Sequence, residues 1–216
     1  MKKIISFSLW GDNPKYTIGA IKNAEIAKEI YPDWICRFYL GKSTPIEIVK
    51  DLYGRDNTEV FVMNEIGDWS GMFWRFFPAS DSDVDIMLSR DVDSRLSIRE
   101  KTSVDEWISS DKGFHIMRDH PAHATQILGG MWGCKLGVVV EMKSLIQKYV
   151  KGEFWQVDQN FLREKIYPII KDNSFVNDEF FENKPFSLKR EEGVDHEGYP
   201  LDFIGKPVDQ NDERIW

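Results

Sequence analysis

The feature that most constrains this chain is an alternation, over the first two thirds of its 216 residues, of short apolar runs with longer amphipathic ones. Residues 4–9 form a short apolar run closed by Gly11. Asn13 and Pro14 then supply a capping side chain and a proline at the first helical position. Apolar residues follow at Ile18, Ile21, Ala24, Ile26, Ala27 and Ile30, close to helical spacing, until Pro32 stops the helix. Residues 34–40 read as a second strand. Thr44 to Glu47 is a capping box that opens a second helix ending near Gly54. Residues 59–63 give a third strand, 69–77 an aromatic helical stretch, and 84–89 a fourth strand. Capping boxes at Ser97/Glu100 and Ser103/Glu106 mark a further helix, continuous or broken, and 113–117 is another strand. Helical patterns occupy 138–150 and 158–166. Strands separated by helices of this length predict one α/β domain, a mostly parallel sheet with helices on both faces. After Pro168 the chain turns irregular and charged, so 171–216 is expected to be a cover over the site or the run-out toward a further domain.

Composition narrows the function. Acidic residues outnumber basic ones 36 to 28, for a formal net charge of −8. That argues against nucleic-acid binding, which needs a basic surface. A single nucleotide remains possible, because a metal ion can carry the positive charge of its site. The two cysteines, Cys36 and Cys134, lack zinc or disulfide spacing and suit a reducing compartment. Lys2 and Lys3 before an apolar run faintly suggest a leader, but the run ends too early at Gly11, so a first buried strand is the reading. No stretch approaches the length of a membrane span. A cytoplasmic location is expected.

Asp91-Val92-Asp93 is an Asp-x-Asp pair just past the fourth strand. In open α/β sheets ligands bind beyond the carboxyl ends of the strands. Two carboxylates so placed can turn toward one hard cation, Mn²⁺ or Mg²⁺, whose open positions a nucleoside diphosphate completes. With twenty aspartates in the chain, about two such matches arise by chance. Asp81/Asp83 and Asp83/Asp85 read as a solvated turn. Asp91/Asp93 differs in following a buried run and in being flanked by Arg90 and Arg95, which suit a carboxylate or a phosphate.

Here the sequence resembles nucleotide-sugar-dependent glycosyltransferases of the GT-A fold, a Rossmann-like mixed, mostly parallel sheet flanked by helices. The likeness covers most of the chain. It is similar to a group found in bacterial capsule synthesis and in large algal viruses such as the chloroviruses. A more distant likeness is to the retaining family that includes glycogenin and the galactosyltransferases of lipooligosaccharide synthesis. Ser6-Phe7-Ser8-Leu9-Trp10-Gly11, with Tyr16, resembles the strand and loop that hold the nucleobase. Met72 to Phe76, containing Arg75, and Ser89 to Arg95 resemble the helix and metal motif. His115 to Pro121, leading to Gly129-Gly130-Met131-Trp132-Gly133, resembles the segment beside the donor sugar. Trp155 to Asn160 resembles the Asp-Gln-Asp stretch near the anomeric carbon, with Asn160 in place of the last Asp. The closing His-x-x-Gly-x-x-Lys-Pro motif is altered here to Asp202-Phe203-Ile204-Gly205-Lys206-Pro207.

The resemblance implies transfer of a sugar from a UDP-sugar to a carbohydrate acceptor, with retention, in the cytoplasm (the host's, if the protein is viral). It implies Asp91 and Asp93 as metal ligands, with Asp202 or His196 as a possible third. Phe7, Ser8, Leu9, Trp10, Gly11, Tyr16, Arg75, Asp91, Val92 and Lys206 would hold the nucleotide. Arg95, Gly129, Gly130, Met131 and Trp132 would lie by the donor sugar and acceptor, and Asp158 and Gln159 at the reacting carbon. Each residue has a plainer reading. Tyr16 and Trp132 suit a core, Gly129-Gly130 a turn, and Asp158 a helix cap. Arg75 between two aromatics calls for a buried partner, phosphate or carboxylate, or a surface ion pair. A Mg²⁺-dependent nucleotidyltransferase and a non-catalytic sugar-binding module are the competing readings. The P-loop signature is missing.

Overall fold

The computed structural model describes residues 1–149, 152, 154–191 and 193–215. It contains a seven-stranded mixed sheet in the order β3-β2-β1-β4-β6-β5-β7. The strands are β1 (Lys3–Leu9), β2 (Ile35–Leu40), β3 (Thr58–Val62), β4 (Ile86–Ser89), β5 (Phe114–Arg118), β6 (Trp132–Lys135) and β7 (Ser174–Asp178). β1, β2, β3 and β4 run parallel, as do β5 and β7. β6 alone is antiparallel to its neighbours β4 and β5. Side chains alternate across the sheet as strand geometry requires. Along β1, Ile4 enters one core with Phe73, Phe76 and Trp132, and Ile5, Phe7 and Leu9 enter the other with Ala20, Ala24 and Trp107. Both faces are therefore covered, which explains why the strands read as short continuous apolar runs.

The helices are α1 (Pro14–Ile30), α2 (Ile46–Tyr53), α3 (Ile98–Ser109), α4 (Met142–Lys148), α5 (Val157–Phe161) and α6 (Tyr167–Ile170). α1 begins as its sequence dictates: Asn13 Oδ1 accepts from Lys15 N at 3.0 Å, and Pro14 occupies the first turn. Ser97 likewise caps α3 by accepting from Glu100 N. The second box is not used, because Ser103 lies inside an unbroken α3 and bonds Asn177 instead. Thr44 does not cap α2 either. Pro45 takes the cap position, and the Thr44 hydroxyl donates to Leu9 O.

The aromatic stretch is helical as expected, but it is a 3₁₀ segment spanning Trp69–Ser80. The helix expected over 138–150 is confined to Met142–Lys148, and Val150 lies outside the described residues. The expected irregular tail contains β7, which adds to the sheet edge beside β5. Beyond it, Val208 N donates to Asp93 O and Ile204 N to Asp119 Oδ2, so the tail is fastened back onto the domain. Among the described residues no helix is long and apolar enough to cross a membrane.

Candidate active site

β1 continues the order outward to β2 and β3 on one side, while β4 lies on its other side. Such a switch point leaves a crevice at the carboxyl ends of the strands. A cleft of about 740 Å³ opens there, lined by Ser8, Leu9 and Trp10 after β1, Lys15 and Tyr16 from α1, and Asp91, Val92 and Asp93 after β4. Trp69, Met72 and Arg75 of the 3₁₀ segment, Gly129, Met131 and Trp155, and Asp158 and Gln159 of α5 complete much of its wall. Asp68, His123, Leu128, Gly205 and Pro207 also line it.

Arg75 is the hub. Its guanidinium reaches Asp91 Oδ1 at 2.6 Å and Asp158 Oδ2 at 2.7 Å, and its backbone N–H donates to Ser8 Oγ at 3.0 Å. The carboxylate partner that the sequence reading calls for is present. Asp158 is buried and also accepts from Gln159 N at 2.8 Å. Burial raises its pKa, the Arg75 charge opposes that rise, and the Asp91 charge adds to it. Asp93 is raised too, by burial and by the neighbouring Asp91, against the lowering pull of Lys15, whose Nζ lies 2.7 Å from Asp93 Oδ2.

The glycine pair fits this cluster. A Cβ on Gly129 would overlap Asp158 Oδ2 and Arg75 Nη2, and one on Gly130 would overlap Asp91 Oδ2 and come within 2.9 Å of Asp91 N. Neither glycine has a positive φ. Their demand is for space beside the charged groups. The loop carrying Asp91 and Asp93 is held from α1. Buried Asn23 donates from Nδ2 to Val92 O and Ser94 O and accepts from Leu96 N, while Gly19 lets α1 pack on Val92 O.

Several sequence assignments need correction. Phe7 and Trp132 are fully buried in the core. Phe7 stacks on Phe38 and Trp132 on Phe114, so neither side chain can face a nucleotide or a sugar. Arg90 turns inward to Glu100, and Arg95 pairs with Asp212. Arg95 and Lys206 line a separate groove of about 570 Å³ with Asp202, and Lys206 Nζ lies 3.6 Å from Asp202 Oδ1. His196 is an exposed side chain beside Glu197. Neither Asp202 nor His196 is among the residues lining the cleft of Asp91 and Asp93. Gly11 and Gly130 are close to the cleft in sequence but are not among its lining residues. Trp155 lines the cleft with the stretch it opens, while Lys15, His123 and Trp69 were missed. Only Lys15 carried a signal, its place in the first turn after β1. The Asp81, Asp83 and Asp85 carboxylates are engaged by Arg37, Lys143 and Lys2.

Among the described residues no group of three His, Cys, Asp or Glu side chains could hold a metal ion. Two carboxylates at the cleft wall, one made harder to ionise by the other's charge, still suit a cation that takes one or two protein carboxylates and completes its shell with phosphate and water. The donor set is thus of the kind that can give a hard divalent cation two carboxylate ligands.

No protein-family model and no curated protein matches the sequence. Solved structures do match the fold. A glycosyltransferase involved in the glycosylation of the major capsid of PBCV-1 is 19% identical, with 83% of this chain and 82% of that one covered and a TM-score of 0.53. The chain has the GT-A fold. S. aureus TarS 1-349 matches at 12% identity and a TM-score of 0.54, over 82% of this chain and 58% of that one. A putative glucose-1-phosphate thymidylyltransferase from Bacillus anthracis, in complex with a sucrose, is 14% identical, covering 82% and 86% of the chains, with a TM-score of 0.52. The GT-A architecture thus joins this chain to both glycosyl- and nucleotidyltransferases.

Proposed function

We propose that this chain transfers a sugar from a UDP-sugar to a carbohydrate acceptor, in glycan or capsule synthesis, with Mn²⁺ or Mg²⁺ held by Asp91 and Asp93. The observation that carries this reading is the convergence of Asp91, Asp93 and Asp158 with Arg75 in one cleft at the sheet's switch point. The cation would supply Lewis-acid neutralisation of the departing diphosphate. Ser8, Leu9, Trp10 and Tyr16 line the same cleft, and in this reading they would hold the nucleoside.

Arg75 fixes Asp91 and Asp158 relative to each other, which is the kind of preorganisation that stabilises developing charge. Both Asp158 oxygens are engaged, one by Arg75 and one by Gln159 N. That favours Asp158 as a fixed anion beside a positively charged sugar over Asp158 as an attacking nucleophile. Retention then follows a same-face course. The bond from the anomeric carbon to the β-phosphate oxygen breaks, the acceptor oxygen bonds that carbon, and the acceptor's proton passes to the departing diphosphate.

The test is a panel of UDP-sugars incubated with Mn²⁺ and followed for slow release of UDP. Release from one sugar supports glycosyl transfer. Turnover of nucleoside triphosphates with a sugar phosphate would replace this reading by a nucleotidyltransferase. Glycan binding with no nucleotide binding would replace it by a sugar-binding module.

A further inference from the structure

A diphosphate that leaves a sugar carries charge which the protein must meet with cations or oriented N–H groups. The sequence offered Lys206 for this task, but Lys206 lines the second groove. Among the described residues lining the active-site cleft, the lysine and arginine side chains are Lys15 and Arg75. Arg75 is committed. Its fork spans Asp91 and Asp158, and moving it would strand the buried Asp158 carboxylate.

Lys15 is differently placed. It has one carboxylate partner, on a flexible four-carbon stem whose ammonium carries three donors. Its Nζ stands 4.9 Å from the centroid of the Tyr16 ring and 2.7 Å from Asp93 Oδ2. A nucleoside lying on Tyr16 and joined through its phosphates to a cation at Asp93 must run those phosphates past Lys15. The backbone around it favours an anion as well. α1 has seventeen residues and no acidic residue in its first turn, so its positive dipole end faces the cleft without a carboxylate from that turn. Asn23 and Gly19 lock α1 to the Asp91–Asp93 loop, which fixes the distance between the Lys15 backbone and Asp93.

We infer that Lys15 is the diphosphate-binding side chain of this cleft, serving as counter-ion to Asp93 in the free protein and turning to the donor's phosphates when a divalent cation takes its place. This rests on the reading of the cleft as a nucleotide-sugar site. It makes Lys15 a competitor of the metal in the free protein and a partner of the metal in the complex.

The experiment is titration calorimetry of the wild type, Lys15→Met, Lys15→Arg and Lys206→Met, with UDP, GDP, the matching nucleosides and Mn²⁺ alone. In Mn²⁺, Lys15→Met should weaken UDP (or GDP) binding by roughly 10- to 100-fold, the worth of one hydrogen bond to a charged group. Binding of the nucleoside should be unchanged, and Lys15→Arg should recover part of the loss. Lys206→Met should stay within about twofold of wild type. Mn²⁺ alone should bind Lys15→Met more tightly than wild type, because Asp93 has lost its competitor. The inference is overturned if Lys15→Met keeps wild-type diphosphate affinity, or if it loses nucleoside and diphosphate affinity equally. A wild type that binds neither UDP nor GDP in Mn²⁺ would instead bring down the donor-site reading, and this inference with it.

Discussion

Replacing Arg75 with Met keeps much of the stem's apolar volume and removes the guanidinium that joins Asp91 to Asp158. The Arg75 and Asp158 side chains are 8% and 3% exposed, so this is a buried pair. Removing one member of such a pair leaves an uncompensated charge and costs roughly 3–5 kcal/mol. Asp91 adds little, since its side chain is 41% exposed and water screens it. The folded chain can escape the cost by protonating Asp158. Burial already raises that carboxyl and Asp91 raises it further, while Arg75 is the opposing influence the substitution deletes. A carboxyl whose folded pKa stands above its unfolded value binds more protons when folded, so the variant recovers stability as pH falls toward that pKa. Urea unfolding of both proteins at pH 8 and pH 5.5 should therefore show a larger gap at pH 8. A loss under about 1 kcal/mol at pH 8, or a gap that does not change with pH, would refute the reasoning.

Three further outcomes are expected. Gly130→Ala puts a methyl onto the Asp91 carboxylate, so the rate of metal-dependent UDP release from the donor should fall by about 100-fold, the scale of an ångström-sized misplacement, with a stability loss of roughly 1–3 kcal/mol from overpacking. Trp132→Ala should cost roughly 3–5 kcal/mol in urea unfolding, because its ring is enclosed by Phe76 and Phe114, and Trp132→Phe should leave the donor-sugar preference unchanged. His115 is held down to about 3 by burial. Below the ordinary value of about 6.5 the unfolded chain takes up a proton that the folded chain refuses, so stability is lost as pH falls, by about 1.4 kcal/mol per pH unit for one such group. His115→Gln should show a correspondingly shallower fall between pH 6.5 and pH 5 than wild type, and an identical slope would count against the buried neutral ring.

The parallel half of the sheet was legible because its information is local. The residues of β1, β2 and β4 are apolar runs bounded by Gly, Pro or charge, and Asn13-Pro14 starts α1 by a mechanism confined to three residues. β6 and β7 were not legible in the same way. β6 spans only Trp132–Lys135 and follows two glycines that read as a turn or a ligand contact, and β7 is Ser174–Asp178, polar at both ends, half-buried over its first three residues and paired with β5. The Asp-x-Asp loop could be placed because its position after a buried run is a matter of order along the chain. Its partners could not. Which cation meets Asp93 depends on how α1 packs on Val92, and the tail reaches the cleft with Gly205 and Pro207 while the Lys206 side chain between them turns toward Asp202 in the second groove. Trp132 misled because a tryptophan beside a glycine pair looks the same in sequence whether its ring points into the cleft or through the sheet.

The most direct test is anomalous diffraction at the manganese edge from crystals grown with Mn²⁺ and UDP, for wild type and Asp93→Asn. The expected result is one peak about 2.1 Å from oxygens of Asp91 and Asp93, with the diphosphate on its far side and the peak gone in the variant. A wild-type peak elsewhere, or UDP bound with both carboxylates still on Arg75 and Lys15 and no metal between them, would contradict the account.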